Sequence, residues 1–283
     1  MPTPSLPSEA FTRLATRLSD QLDAVGGAVD PTFVRPDWAE RNSGLERALR
    51  PTPPRDYLRH PSVAHQMFVG EKYLAHELPW VLERLTDHDL LNEPDAGDPP
   101  RTALPEHGVV TSSNTVHHLH HLLRYERLRP LAEAEVIVEW GAGYGNLMRL
   151  LDRLHPGAPT CVLIDTPVFS ALQWLHLSLV LGEERVVLHT EPGAPVVAGR
   201  LNVVPLGLVR DLEVTADLFV STWALNESTP AAQEHVLGRA FFGAEDLLLA
   251  MNDSDPLVPA VLAAGARAEA LGDFMPGQHY YLR

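Results

Sequence analysis

Between the β-branched run Val136-Ile137-Val138 and an amphipathic stretch carrying Leu147, Leu150, Leu151 and Leu154 stands the segment Glu139-Trp140-Gly141-Ala142-Gly143-Tyr144-Gly145. A buried strand, a glycine turn and a helix in that order open a nucleotide-binding α/β unit. Gly141 permits the tight turn, Gly143 lets a ligand approach the backbone, and Gly145 lets the helix start against the sheet. The bland reading, glycine as loop flexibility, does not explain three glycines at alternate positions.

The chain beyond Leu154 keeps the same alternation. Cys161–Ile164 reads as the next buried strand, closed by Asp165; Thr166 and Pro167 read as N-cap and first-turn proline of a helix reaching Gly182. Further strands are expected at Val186–Leu188, Asn202–Leu206, Leu218–Val220 and Leu247–Ala250, with a helix from Pro230 to Phe242 between the last two. Arg267–Leu271 and Gln278–Leu282 flank a Met275-Pro276-Gly277 turn and read as a terminal antiparallel hairpin. The expected fold class is α/β, with a doubly wound, Rossmann-like seven-strand sheet.

Upstream the pattern is helical. Ser8 is placed to cap a helix with Phe11, Leu14, Ala15, Leu18 and Leu22 on one stripe, stopped by Gly26-Gly27. A second helical stretch runs from about Val63 to Leu85, with Pro79 as its kink. Asn92 to Pro105 is rich in proline and acid and reads as a surface linker. The chain divides there into a helical N-terminal cap, 1–105, and a ligand-binding domain, 106–283.

Composition narrows the partners. Thirty-seven acidic against 22 basic residues give a formal charge of −15, which disfavours a role that depends on neutralising phosphates of DNA or RNA. Cys161 is the single cysteine, so no intrachain disulfide forms. No run of about 18 apolar residues offers a membrane span. Met1 to Ala10 lacks the basic and apolar regions of a signal peptide, so a cytoplasmic location is expected.

The glycine spacing then selects among ligands. A dinucleotide fingerprint wants its last glycine at position 146, which is Asn146. Glu139, at a strand's carboxyl end, suits an ammonium group and repels a pyrophosphate. Asp165 is placed to receive a ribose diol, or, more blandly, to stabilise a helix N-terminus.

Glu139-x-Gly141-x-Gly143-x-Gly145 with Asp165 resembles the class I S-adenosylmethionine-dependent methyltransferases. The longer stretches Ile137–Asn146, Leu163–Pro167 and Asp217–Glu227 resemble one bacterial family of sugar O-methyltransferases, from about Ser112 to the C-terminus. That resemblance implies S-adenosylmethionine as cofactor, S-adenosylhomocysteine as product, and a small-molecule acceptor such as a sugar or another specialised metabolite. It implies that Glu139, Gly141, Ala142 and Gly143 line the methionine part with Asn146 near it. Asp165 would hold the ribose, Thr166 would lie beside the adenosine and Pro205-Leu206 would border the adenine.

Methylating a hydroxyl requires removal of its proton. Ser221 and Thr222, at a later strand end, are placed to touch the cofactor, and Trp223 to wall the pocket. Glu227 either orients or deprotonates the acceptor, or serves as a helix N-terminal charge before Thr229-Pro230. On the helix from about Asn114 to Arg129, Val116, Leu119 and Leu123 form the expected buried stripe. His120 lies at its edge and His117, His118 and His121 beside it, each in a solvated or packing role, with His117 or His118 as candidate base. No third ligand at recognisable spacing joins His117 and His121, so no metal site is expected. Tyr280-Tyr281 reads as sheet packing. Two rival readings stay open: a nicotinamide-dependent oxidoreductase, and a non-catalytic cofactor-binding partner subunit. Homo-oligomerisation stays open as well.

Overall fold

The computed structural model describes residues 8–68 and 70–283. Met1–Pro7 and the capping side chain of Ser8 lie outside the described residues and side chains, so the leader and Ser8-cap readings are not addressed. The sheet is assembled from β3 (Val136–Trp140), β4 (Thr160–Asp165), β5 (Val186–Leu188), β6 (Leu201–Pro205), β7 (Leu218–Thr222), β8 (Asp246–Asn252), β9 (Arg267–Ala270) and β10 (Gln278–Leu282). They form an eight-stranded sheet in the order β5-β6-β4-β3-β7-β8-β10-β9. The six strands from β5 to β8 are parallel, and β10 returns antiparallel between β8 and β9. All eight runs read as strands enter this one sheet, one more than the seven of the expected fold class, with β5 as a short parallel edge beside β6.

The apolar runs explain the parallel core. Cys161 to Ile164 and Phe219 to Val220 are buried on both faces, as strands covered by helices on each side must be. The helices α6 (Asn146–Leu154) and α7 (Pro167–Leu181) follow β3 and β4 directly. The chain leaves β3 toward β4 on one side and returns to β7 on its other side, so the strand order reverses there. A ligand crevice opens outside the strand carboxyl ends at such a switch point.

The N-terminal residues wrap this core. α1 (Ser8–Gly26) packs along α7, while α2 (Pro36–Leu49) touches α3 (Pro61–Met67) and α7. α4 (Glu71–Arg84) packs along α5 (Ser113–Glu126). One hydrophobic cluster takes Leu14, Leu18, Tyr57 and Val81 together with Leu119, Leu147 and Leu163.

Three local expectations are revised. The helical stretch is divided, with α3 ending at Met67 and α4 starting at Glu71 after Gly70 at φ +90°, and Pro79 sits inside α4. Asn92–Pro105 is no free linker: Glu93 and Ala96 are buried, and Thr102–Leu104 (β1) pairs antiparallel with Val109–Thr111 (β2). On α5 the stripe is Val116, Leu119 and Leu122, and His117, His120 and His121 are buried too. Helix α4 covers the face that a lone amphipathic helix would leave to water.

Gly207 shows how the wrap reaches the ligand crevice. Its N–H donates to the Ala28 carbonyl at 2.9 Å, and a Cβ there would sit 2.2 Å from the Ala28 carbonyl carbon. That contact, with Arg210–Asp30 at 2.7 Å, fixes the loop after α1 over the end of β6.

Arg149 of α6 is 1% exposed; it donates from Nε to Asn146 Oδ1 at 2.8 Å and from Nη2 to Thr115 Oγ1 at 3.1 Å, with Glu93 Oε2 4.0 Å away. Removing one member of a buried charged group leaves the other uncompensated. Arg149→Met should lower stability by about 3–5 kcal/mol, read from the midpoint of urea unfolding. A variant within about 1 kcal/mol of wild type, on the same estimate, would show that Glu93 does not depend on Arg149. Among the described residues no helix is long and apolar enough to cross a membrane.

Candidate active site

A cavity of about 390 Å³ lies at the carboxyl ends of the parallel strands. It gathers Glu139, Gly141, Ala142, Gly143, Asp165, Thr166, Leu206, Thr222, His117, His118 and Glu227 from six separate stretches of chain. Asn146 and Ser221 are not in its lining. Asn146 is turned inward, its amide oriented by Arg149 at Oδ1 and directed from Nδ2 to His118 Nδ1 at 3.2 Å. Ser221 Oγ donates to the Trp140 carbonyl at 3.0 Å and accepts from Leu225 N–H at 3.0 Å, holding the turn after β7.

The glycine loop is shaped by close approach. Gly141 has φ +78°, and a Cβ on it would meet Ala224 Cβ at 2.1 Å; Gly143 has φ +59° and abuts the Met67 sulfur. The Gly143 N–H donates to Asp165 Oδ2 at 2.8 Å, and the Thr166 N–H donates to Oδ1 at 2.7 Å. Each carboxylate oxygen keeps further acceptor capacity. Thr166 is the N-cap residue of α7, but its buried hydroxyl makes no capping bond and lies beside the Asp165 carboxylate.

Glu139 is buried, and its Oε2 also finds no partner among the described residues. Burial, with Asp165 beside it, pushes its carboxyl up to about 8; burial alone raises Asp165 to about 7 against its backbone hydrogen bonds. A buried carboxyl without a partner stays protonated when alone and ionises only where a cation meets it.

The opposite wall carries the histidines. His117 Nδ1 lies 2.8 and 2.9 Å from the two carboxylate oxygens of Glu77, a 1% exposed residue of α4. Burial disfavours charge on both partners, raising Glu77 to about 9 and lowering His117. The His117 ring stacks on Trp223, centroids 5.3 Å apart, and meets the Tyr73 edge at 4.2 Å. Trp223 itself adopts φ +54° and donates from Nε1 to Gln278 Oε1 at 2.7 Å. Strain of this kind persists only where the surroundings over-determine it. His118 Nδ1 accepts from Asn146, so in its neutral form the proton sits on Nε2. Burial, then His117 and Arg149, hold that imidazole well below its usual range.

Glu227 meets a different part of the lining, near Trp38 of α2; burial raises its carboxyl against Arg35 and Arg41. The expected helix cap at Thr229 is present, accepting from Ala232 N–H at 3.3 Å.

Sequence reasoning missed Glu77 altogether, because nothing in its own stretch marks it. The i, i+4, i+7 spacing of Tyr73, Glu77 and Trp80 along the α5-facing side of α4 is the one signal that could have found it. Tyr73, Met67 and Met275, also lining the cavity, were unassigned for the same reason. Among the described residues no three His, Cys, Asp or Glu side chains are grouped to hold a metal ion.

No family model matches the chain, and no curated protein does. Among solved structures it is similar to mitomycin 7-O-methyltransferase MmcR, at 13% identity over 81% of this chain and 72% of that one, TM-score 0.41. It is similar to PigF with SAH, at 14% identity over 96% of this chain and 94% of that one, TM-score 0.40. Human N-acetylserotonin methyltransferase in complex with SAM is another likeness, at 14% identity over 75% of this chain and 68% of that one, TM-score 0.35.

Proposed function

We propose that this chain is an S-adenosylmethionine-dependent methyltransferase that methylates a hydroxyl of a small-molecule acceptor. The observation that carries the reading is the Glu139 carboxylate, buried, unpartnered among the described residues and set beside the glycine turn. The site residues fit the cofactor. Glu139 would take the ammonium, Gly141 to Gly143 the methionine chain, Asp165 the ribose diol, and Thr166 and Leu206 the adenosine. A dinucleotide would bring its pyrophosphate against Glu139, which weighs against the oxidoreductase.

When bound, the cofactor supplies a methyl group on a sulfonium, open to in-line attack. The chain's own part is to strip the acceptor's proton and exclude water. We assign the base to His117. With Glu77 ionised, Nδ1–H donates to the carboxylate and the Nε2 lone pair is free. His118, with Nε2 protonated, is a donor. We read residues 1–105 as the acceptor-covering part and 106–283 as the cofactor-binding part. Phe33, Trp38 and Met67 would close over the acceptor and keep the sulfonium dry.

Isothermal titration with S-adenosylmethionine, S-adenosylhomocysteine and NAD(H) tests the reading: the first two should bind and the third should not. NAD(H) binding alone would overturn it. Asp165→Ala should weaken S-adenosylmethionine binding by about 1.5–3 kcal/mol through lost ribose hydrogen bonds. A folded variant of unchanged affinity would remove Asp165 from the site.

Binding should also release protons. Glu139, held near 8 by burial, is mostly protonated at pH 7 and ionises when it meets an ammonium. Affinity should therefore rise with pH toward about 8. Titrations in buffers of different ionisation enthalpy should show proton release in wild type and less in Glu139→Gln; equal release would place the titrating group elsewhere.

A further inference from the structure

His121 is fully buried, lines the cavity, and its Nε2 finds no partner among the described residues. What that atom carries is decided at the far end of a hydrogen-bonded chain. Arg124 Nε lies 3.4 Å from His120 Nε2. An arginine N–H only donates, so His120 Nε2 accepts. Burial holds His120 neutral, which leaves its one proton on Nδ1. The Tyr280 hydroxyl lies 2.8 Å from that Nδ1 and 2.7 Å from Nδ1 of His121. A hydroxyl has a single hydrogen to give. It accepts from His120 Nδ1–H and donates to His121 Nδ1. Burial keeps His121 neutral as well, so its proton stands on Nε2. The groups facing this chain from neighbouring elements are Glu77 of α4, 3.5 Å from His120 Nδ1, and Glu269 of β9, paired with Arg124.

We infer that His121 presents Nε2–H to the acceptor as a hydrogen-bond donor, and that the site takes acceptors with a second oxygen on the carbon next to the one bearing the methylated hydroxyl. The inference rests on the methyltransferase reading. The His117 and His121 ring centroids lie 4.1 Å apart, so acceptor oxygens bonded to the two rings, each about 2.9 Å from its nitrogen, would be near neighbours. One ring offers a lone pair and the other an N–H, a match for neighbouring oxygens of which one loses its proton and the other keeps its lone pairs. Tyr280 is then a positioning residue: it fixes the His121 tautomer without touching the acceptor.

Two readouts test this separately from the methyltransferase reading. Long-range nitrogen–proton spectra of protein labelled with nitrogen-15 histidine report each tautomer without cofactor. His121 is expected as Nε2–H and His120 as Nδ1–H, with the His121 signal losing its single-tautomer position in Tyr280→Phe. A His121 signal of the Nδ1–H form would overturn the inference whatever the cofactor results. With S-adenosylhomocysteine bound, catechol should bind about tenfold tighter than phenol, one hydrogen bond's worth. In Tyr280→Phe, and in His121→Leu where it folds, the ratio should fall toward one. Equal binding of catechol and phenol to wild type, or binding of neither, would overturn the acceptor class. Failure of S-adenosylhomocysteine itself to bind would instead overturn the parent reading and leave the tautomer result standing.

Discussion

Glu77→Gln should lower kcat by a factor on the order of 10²–10⁴, the usual contribution of a positioned acid–base group, while leaving S-adenosylmethionine affinity unchanged. Glutamine keeps the size of the side chain but cannot ionise. The Nδ1–H of His117 then loses its charged acceptor, and the Nε2 lone pair loses the support that makes it a base. The pH profile carries the distinctive sign. Burial raises Glu77 to about 9, so near neutrality the Glu77–His117 pair holds an extra proton. Its base form grows as the pH rises, and kcat should climb as the pH approaches about 9 in wild type. That limb should be absent from Glu77→Gln. A variant that keeps both the rate and the limb would take Glu77 out of the mechanism; one that loses cofactor affinity as well would show a structural role only.

Glu139→Gln should act on the other half of the site, weakening S-adenosylmethionine by about 1.5–3 kcal/mol, a hydrogen bond to a charged group. The buried Oε2 has no partner among the described residues, so its interaction energy is available to a ligand. The same change should stabilise the cofactor-free protein at neutral pH. Glu139 has a folded pKa of about 8 against an ordinary value of 4.5. An acid raised on folding favours the folded state below its unfolded value and loses that contribution as pH climbs to the folded one. Wild type should therefore lose thermal stability between about pH 5 and 8 more steeply than Glu139→Gln, as followed by differential scanning calorimetry. Tighter S-adenosylmethionine binding in the variant, or equal slopes in the two proteins, would refute the assignment of this carboxylate to the ammonium.

These two residues also show where sequence reading works and where it stops. Glu139, the glycine turn and Asp165 lie at the ends of consecutive strands, and strand, turn and helix are local patterns. Parallel pairing with right-handed crossovers then brings β3 and β4 side by side, so their carboxyl ends meet without help from distant chain. The half of the cavity proposed for the cofactor was legible as a cluster of residues for that reason. So was the terminal hairpin, whose two strands flank a turn signal and of which β10 inserts beside β8 with β9 at the edge.

The opposite wall, proposed for the acceptor, was not legible, because it is made by contacts between segments far apart in sequence. Helical periodicity places His117, His118 and His121 on α5 but does not tell which side another helix covers. Packing of α4 against α5 buries the row, supplies Glu77, and turns solvated imidazoles into neutral ones with fixed tautomers. Tyr280, read as packing, reaches across from β10 to join His120 and His121. Local period and strand order were enough to set the sheet, the loop and the charge at the cofactor end. Which nitrogen of each imidazole is paired, and with what, came from long-range packing alone, because a proton's place on a ring depends on the partner at its other nitrogen.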